Sequence, residues 1–103
     1  MSNERRKQLE EIFQNIDKDQ KSLVEPELDE VVFLETRMEE LKKLPFVEVH
    51  PKNPARQRPT AAAREYKNCQ TSYINALRFL YSILKQNDTT AQDALFEAIK
   101  EFM

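Results

Sequence analysis

Residues 60–85 read Thr60-Ala-Ala-Ala-Arg-Glu-Tyr-Lys-Asn-Cys-Gln-Thr-Ser-Tyr-Ile-Asn-Ala-Leu-Arg-Phe-Leu-Tyr-Ser-Ile-Leu-Lys85, and this stretch decides the fold. Thr60 suits an N-cap, because its hydroxyl can accept one of the unpaired N–H groups of a first helical turn. Three alanines, the strongest helix formers, follow it. Tyr66, Tyr73, Leu77, Leu80 and Leu84 then recur at spacings of three and four, with Gln70 in the same stripe. Lys85 ends the run, and Asn87 is the natural candidate for a left-handed cap in a chain that contains no glycine. Ile74 and Tyr81 flank the stripe on one side and Phe79 and Ile83 on the other, so apolar side chains cover more than half of the circumference. Such a helix is either central to its own core or completed by another chain. The reading favoured here is a symmetric homo-oligomer joined through Tyr73, Leu77, Leu80 and Leu84, with a monomeric bundle as the alternative.

Working outward, a helix is expected from about Asn3 to Asp17, capped by Ser2 or Asn3, with Leu9, Ile12, Phe13 and Ile16 on one face. Residues 17–25 lose the pattern and read as a connector. A second helix is expected to open at Pro26, since a first helical position needs no N–H. Leu28, Val31, Leu34, Met38 and Leu41 form its stripe, and Pro45 stops it. A last helix follows Thr90 as N-cap with Asp93 three residues on. Its apolar stripe is Ala91, Ala94, Leu95, Ala98, Ile99 and Phe102. The expected fold is therefore all-α: two long helices joined by an extended Pro-rich arm, flanked by two shorter helices, in a single helical domain over 1–103 with the arm at 44–59. Four of the five prolines lie in that arm. Proline removes donors and restricts its neighbour, so the arm reads as neither helix nor central strand. Phe46, Val47 and Val49 give it something with which to dock on the helices.

Composition excludes more than it identifies. At 103 residues the chain supports one core. The absence of glycine removes glycine-fingerprint phosphate loops and argues against a sheet-rich fold. One cysteine and one histidine leave no internal disulfide and no ordinary zinc site. No metal and no cofactor are expected. Cys69, His50 and Glu48 are the only groups from which a nucleophilic site might be assembled, and no spacing rule links them. Cys69 reads better as a small helical hydrophobe. The carboxylates follow helix surfaces, so the catalytic set is empty and an enzyme is not expected. The charged start lacks a signal-peptide apolar stretch, and Val31-Val32-Phe33-Leu34 is the longest apolar run, so a cytoplasmic protein without a membrane partner is expected.

The net charge of −2 hides a segregation. Residues 1–41 carry six basic and twelve acidic side chains, net −6, whereas residues 42–67 carry net +5. Lys52, Arg56, Arg58, Arg64 and Lys67 cluster in the arm and the first turns of the following helix, a suitable phosphate-binding surface. The alternative is that this block pairs with the acidic first third, within the fold or between subunits.

The run Leu44-Pro45-Phe46, Val49-His50-Pro51-Lys52-Asn53-Pro54, Gln57 and Thr60-Ala61-Ala62, leading into Tyr66-Lys67, Gln70, Tyr73, Asn75 and Leu77, resembles a group of short phage and prophage proteins of Gram-positive bacteria. These are described as small terminase subunit-like proteins. Asp29-Glu30-Val31-Val32-Phe33-Leu34-Glu35 and Glu40-Leu41 fit as well, so the likeness covers about residues 23–84. Small terminase subunits are helical ring-forming proteins that recognise viral DNA and deliver it to the large terminase subunit, which holds the ATPase and nuclease. The resemblance implies a non-enzymatic role in phage DNA packaging, in the cytoplasm of a bacterial host cell, with double-stranded DNA, the large terminase subunit and further copies of itself as partners. Many of those proteins carry an N-terminal helix-turn-helix domain. Here a single amphipathic helix precedes Pro26, too little for that module, which leaves DNA contact to the arm or a ring surface. The rival readings are a structural or adaptor protein of a phage particle, and a small regulator of a host protein.

Overall fold

Among the described residues, four helices and one β-hairpin follow one another in the order α1 (Ser2–Ile12), α2 (Lys18–Leu41), β1 (Val47–His50), β2 (Asn53–Pro59), α3 (Ala61–Asn87) and α4 (Thr89–Phe102). The structure, a computed structural model, describes residues 2–87 and 89–102. The side chains of Ser2, Asn3 and Asn87, assigned capping roles from the sequence, lie outside the described residues. Among the described residues no helix is long and apolar enough to cross a membrane. The fold is predominantly helical, as expected, with a small antiparallel sheet that was not expected.

The first difference lies at the α1–α2 connection. Helix α1 stops at Ile12, and residues 13–16 tighten into turns, with the Phe13 and Ile16 amides donating to Glu10 and Phe13 carbonyls. Both side chains nevertheless remain buried. The supposed connector 17–25 is helical from Lys18, because the Asp17 carboxylate accepts from the Asp19 amide at 3.2 Å and caps the helix nine residues before Pro26. Pro26 thus sits inside α2 rather than at its first position. An interior proline costs about 3 kcal/mol. Burying Val24, which extends the Leu28/Val31 stripe by one turn, contributes about 1.5–3 kcal/mol, and the cap about 1 kcal/mol, enough to offset that cost. Pro26 and Ser22, whose carbonyl loses its helical donor, are both exposed.

The second difference is the arm. Residues 44–59 do not lack regular structure: β1 and β2 pair antiparallel, with Val47 opposite Pro59, Glu48 opposite Arg58, Val49 opposite Gln57 and His50 opposite Asn53. The turn forms without glycine. The His50 ring Nδ1 accepts from the Lys52 amide at 3.1 Å, and Asn53 Oδ1 accepts from the Ala55 amide at 3.2 Å. In a two-stranded ribbon both strands are edges, which is where proline is tolerated. A register shift between Val49 and His50 accommodates residues 54–56.

Helix α3 begins as expected, with Thr60 Oγ1 accepting from the Ala63 amide at 3.1 Å. It continues to Asn87, and no described residue has a left-handed backbone, so Asn87 does not act as a left-handed cap. Helix α4 starts at Thr89, which places Thr90 inside the helix rather than at its cap. Ala91, Leu95, Ala98 and Ile99 are buried as expected, Phe102 is half-buried and Ala94 is exposed.

The core joins one face of each helix, and α3 spends its stripe there. Tyr73, Leu80 and Leu84 are 1%, 0% and 0% exposed within the single chain. This corrects the expectation that these three meet a second copy. Of the four residues assigned to oligomerisation, only Leu77 retains accessible surface. The radius of gyration, 17.2 Å, exceeds the roughly 13 Å of a compact chain of this length. The molecule measures 60 × 25 × 21 Å.

Among the described residues, one charged side chain, Glu35, is buried in this core. Glu35 of α2 accepts two hydrogen bonds from the Arg5 guanidinium of α1, both 2.8 Å, and one of 2.6 Å from the Tyr73 hydroxyl of α3. Arg5 also donates to the Ala98 carbonyl of α4 at 3.0 Å, so the cluster ties all four helices. Burial, and then the bond to Glu35, push the Tyr73 phenol far above its ordinary range. Removing Glu35 leaves the Arg5 guanidinium without its counter-charge and the Tyr73 hydroxyl without its acceptor, and Glu35→Ala should cost about 3–5 kcal/mol in urea unfolding. Tyr73→Phe should cost about 1.5–3 kcal/mol at neutral pH. The neutral phenol is favoured in the folded state, so its contribution is complete below the unfolded-state value near pH 10 and fades as pH rises. Above pH ~10 the unmodified protein should therefore lose about 1.4 kcal/mol per pH unit more than Tyr73→Phe. Equal pH slopes for the two proteins would contradict this assignment.

Candidate nucleic-acid interface

The hairpin is exposed along both strands, and every one of the five basic residues singled out from the sequence is exposed. Lys52 stands in the turn, Arg56 and Arg58 on β2, and Arg64 and Lys67 in the first turns of α3. The base of the ribbon is fixed by Thr60, which has three tasks. Its hydroxyl donates to the Pro45 carbonyl at 2.7 Å while accepting from Ala63, and its amide donates to the Phe46 carbonyl at 3.2 Å. Phe46 packs its ring on Tyr66 of α3 at 5.2 Å between centroids. Phe46 thus docks as expected. Val47 and Val49 do not: they are 51% and 48% exposed, because the ribbon has no helix behind it.

Register sorts the ribbon into two faces. Val47, Val49, Gln57 and Pro59 share one, and Glu48 and Arg58 the other. Glu48 and Arg58 form a cross-strand ion pair of 2.8 Å. The Arg58 hydrogen bond holds the Glu48 carboxyl below its usual range, and Glu48 in turn raises Arg58. Arg56 lines a shallow concavity of about 220 Å³ with Glu48, His50 and Arg58. Arg64 donates to the Pro59 carbonyl at 3.3 Å, which directs it back to the ribbon base. Glu65, between Arg64 and Lys67, is taken by Arg37 of α2 at 2.8 Å. The structure thus brings Arg56 and Arg58 together and places Arg64 at the junction, with Lys67 one turn further along α3.

Sequence reasoning missed two participants. Glu48 engages one of the five cations, a pairing that exists only once the strand register is known. Thr60 was found as a cap but not as the clamp of the ribbon.

The residues considered for catalysis face different partners. His50 is engaged by the Lys52 amide, whereas Cys69 lies in α3, its thiol pushed up by burial and, more weakly, by Glu65. Among the described residues no group of three or more His, Cys, Asp or Glu side chains is arranged to hold a metal ion. The arrangement presents exposed cations on a narrow ribbon and at the start of α3, with Arg58 paired to Glu48.

Comparison with protein-family models, with curated proteins and with solved structures finds no match to this chain.

Thr60→Ala should cost about 1 kcal/mol as a lost cap. It should also raise amide hydrogen exchange across residues 46–60 well beyond any change in the helices, because the Pro45 contact goes with it. Uniform exchange along the chain would show that the ribbon is not clamped there.

Proposed function

We propose that this protein is a non-enzymatic, DNA-binding assembly component of the small terminase subunit-like kind, acting in phage DNA packaging. Its basic ribbon and the start of α3 contact duplex DNA, and it works as a homo-oligomer together with a large terminase subunit. The observation that supports this reading is the exposure of all five cations, three on a ribbon held at one end by Thr60 and Phe46 and two in the first turns of α3. A ribbon of two strands is narrow enough to enter a major groove. Each chain offers few charges, so binding is weak per subunit and gains from several subunits acting together. The two exposed valines favour a second reading, in which the ribbon docks on a protein as part of a phage-particle adaptor or a regulator of a host protein.

Arg56→Ala/Arg58→Ala should leave helicity and assembly unchanged. It should flatten the plot of log affinity for duplex DNA against log salt by about one to two units, since each lost phosphate contact removes about 0.9. An unchanged slope would exclude these arginines from phosphate contact. Absence of any DNA binding by the unmodified protein at low salt would favour the protein-docking reading.

A further inference from the structure

The turn of the ribbon is closed by side chains, and one of them can take up a proton. Pro51 and Lys52 join the paired residues His50 and Asn53, a two-residue connection. Such connections ordinarily use turns with positive φ, whose twist matches that of the strands. No described residue has a positive φ, so this turn is held in another way. The His50 ring Nδ1 accepts from the Lys52 amide at 3.1 Å, and Asn53 Oδ1 accepts from the Ala55 amide at 3.2 Å. In both, a side chain bonds the amide two residues on, but only the imidazole titrates. A backbone amide can only donate, so the Lys52 bond requires a bare Nδ1 and places the ring proton on Nε2.

We infer that His50 is a proton-operated latch on the ribbon: the neutral ring fastens the turn, and a proton taken from solvent onto Nδ1 releases the Lys52 amide and loosens the tip. The amide and the proton compete for one lone pair, and the imidazolium sets two donors against each other. His50 is exposed, so the proton reaches it without the opening of any helix. The charged groups around it are Lys52 in the turn, and Glu48, Arg56 and Arg58, which line one concavity with it. Lys52, Arg56 and Arg58 stay cationic while a histidine titrates and oppose the added charge. Glu48 is bonded to Arg58, which holds its carboxyl below the usual range, so it stays ionised over the same interval. His50 is the only histidine of the chain, and burial moves the Cys69 thiol further from that interval. The latch acts in the free chain and stands apart from the proposed DNA contact.

Solvent-exchange NMR of the backbone amides tests it, with protection expressed relative to an unstructured chain at the same pH. Between about pH 7.5 and about pH 5, the protection of the Lys52 amide should fall about two- to tenfold, as the loss of one exposed hydrogen bond does, while the α2 and α3 amides keep theirs. His50→Asn offers an Oδ1 acceptor of the kind that Asn53 uses and does not titrate, so its Lys52 protection should be the same at both pH values. His50→Ala has no acceptor and should show low protection at both. Parent protection that does not change with pH, or a His50→Ala protein protected as well as the parent at the higher pH, would overturn the latch. A fall shared equally by the helix amides would overturn it too, as would a His50→Asn protein that loses protection as steeply as the parent, because the titrating group would then lie elsewhere.

Discussion

The fold depends on a carboxylate kept out of water. Glu35 is 5% exposed, and a buried charge survives only with nearly every acceptor site engaged. Arg5 supplies a two-pronged match to the carboxylate and Tyr73 a third donor, while Arg5 reaches on to a carbonyl of α4. An apolar core of Leu, Ile and Val tolerates small slips of one helix along another, because leucine meets leucine in several registers. A bidentate guanidinium does not. The cluster therefore sets the axial positions of α1, α2 and α3 relative to one another, and the apolar residues fill the space so defined.

A second network, beside the first, reinforces the α1–α2 pair. Arg6 bridges Glu25 at 2.8 Å and Asp29 at 2.7 Å. Exposed pairs of this kind contribute little individually. Here they flank Pro26 and hold α1 against the part of α2 whose own hydrogen bonding the proline interrupts. At the far end of α2, Arg37 and Glu65 join it to α3, close to where the ribbon departs. The helices thus form a stiff platform, and the ribbon is attached to it through Thr60, Phe46 and the chain itself.

The parts legible in the sequence are those governed by neighbours in the chain. The start of α3 followed from Thr60 and three alanines, and the buried stripes from three- and four-residue spacings. Helix α2 was read too short because Pro26 is a strong local signal, overridden by the burial of Val24 and the Asp17 cap. The ribbon was hidden because prolines and the lack of glycine argue locally against strands, whereas side-chain acceptors on His50 and Asn53 close the turn instead. Arg5, Glu35 and Tyr73 are separated by 30 and 38 positions, and no periodicity relates them. For the candidate interface the five cations were legible as exposed. The capture of Arg58 by Glu48 was not, since it requires the strand register.

The prolines of the ribbon have one more consequence. A two-stranded sheet has two open edges, and an open edge recruits further strands through its unpaired N–H and C=O groups. Pro54 and Pro59 bring no N–H to either edge of β2, and the shift at Val49/His50 breaks the regular ladder of β1. Backbone templating, the route by which exposed strands grow into fibrils, is thereby discouraged in a segment that is accessible along its whole length. What the ribbon offers to another molecule is chiefly its side chains.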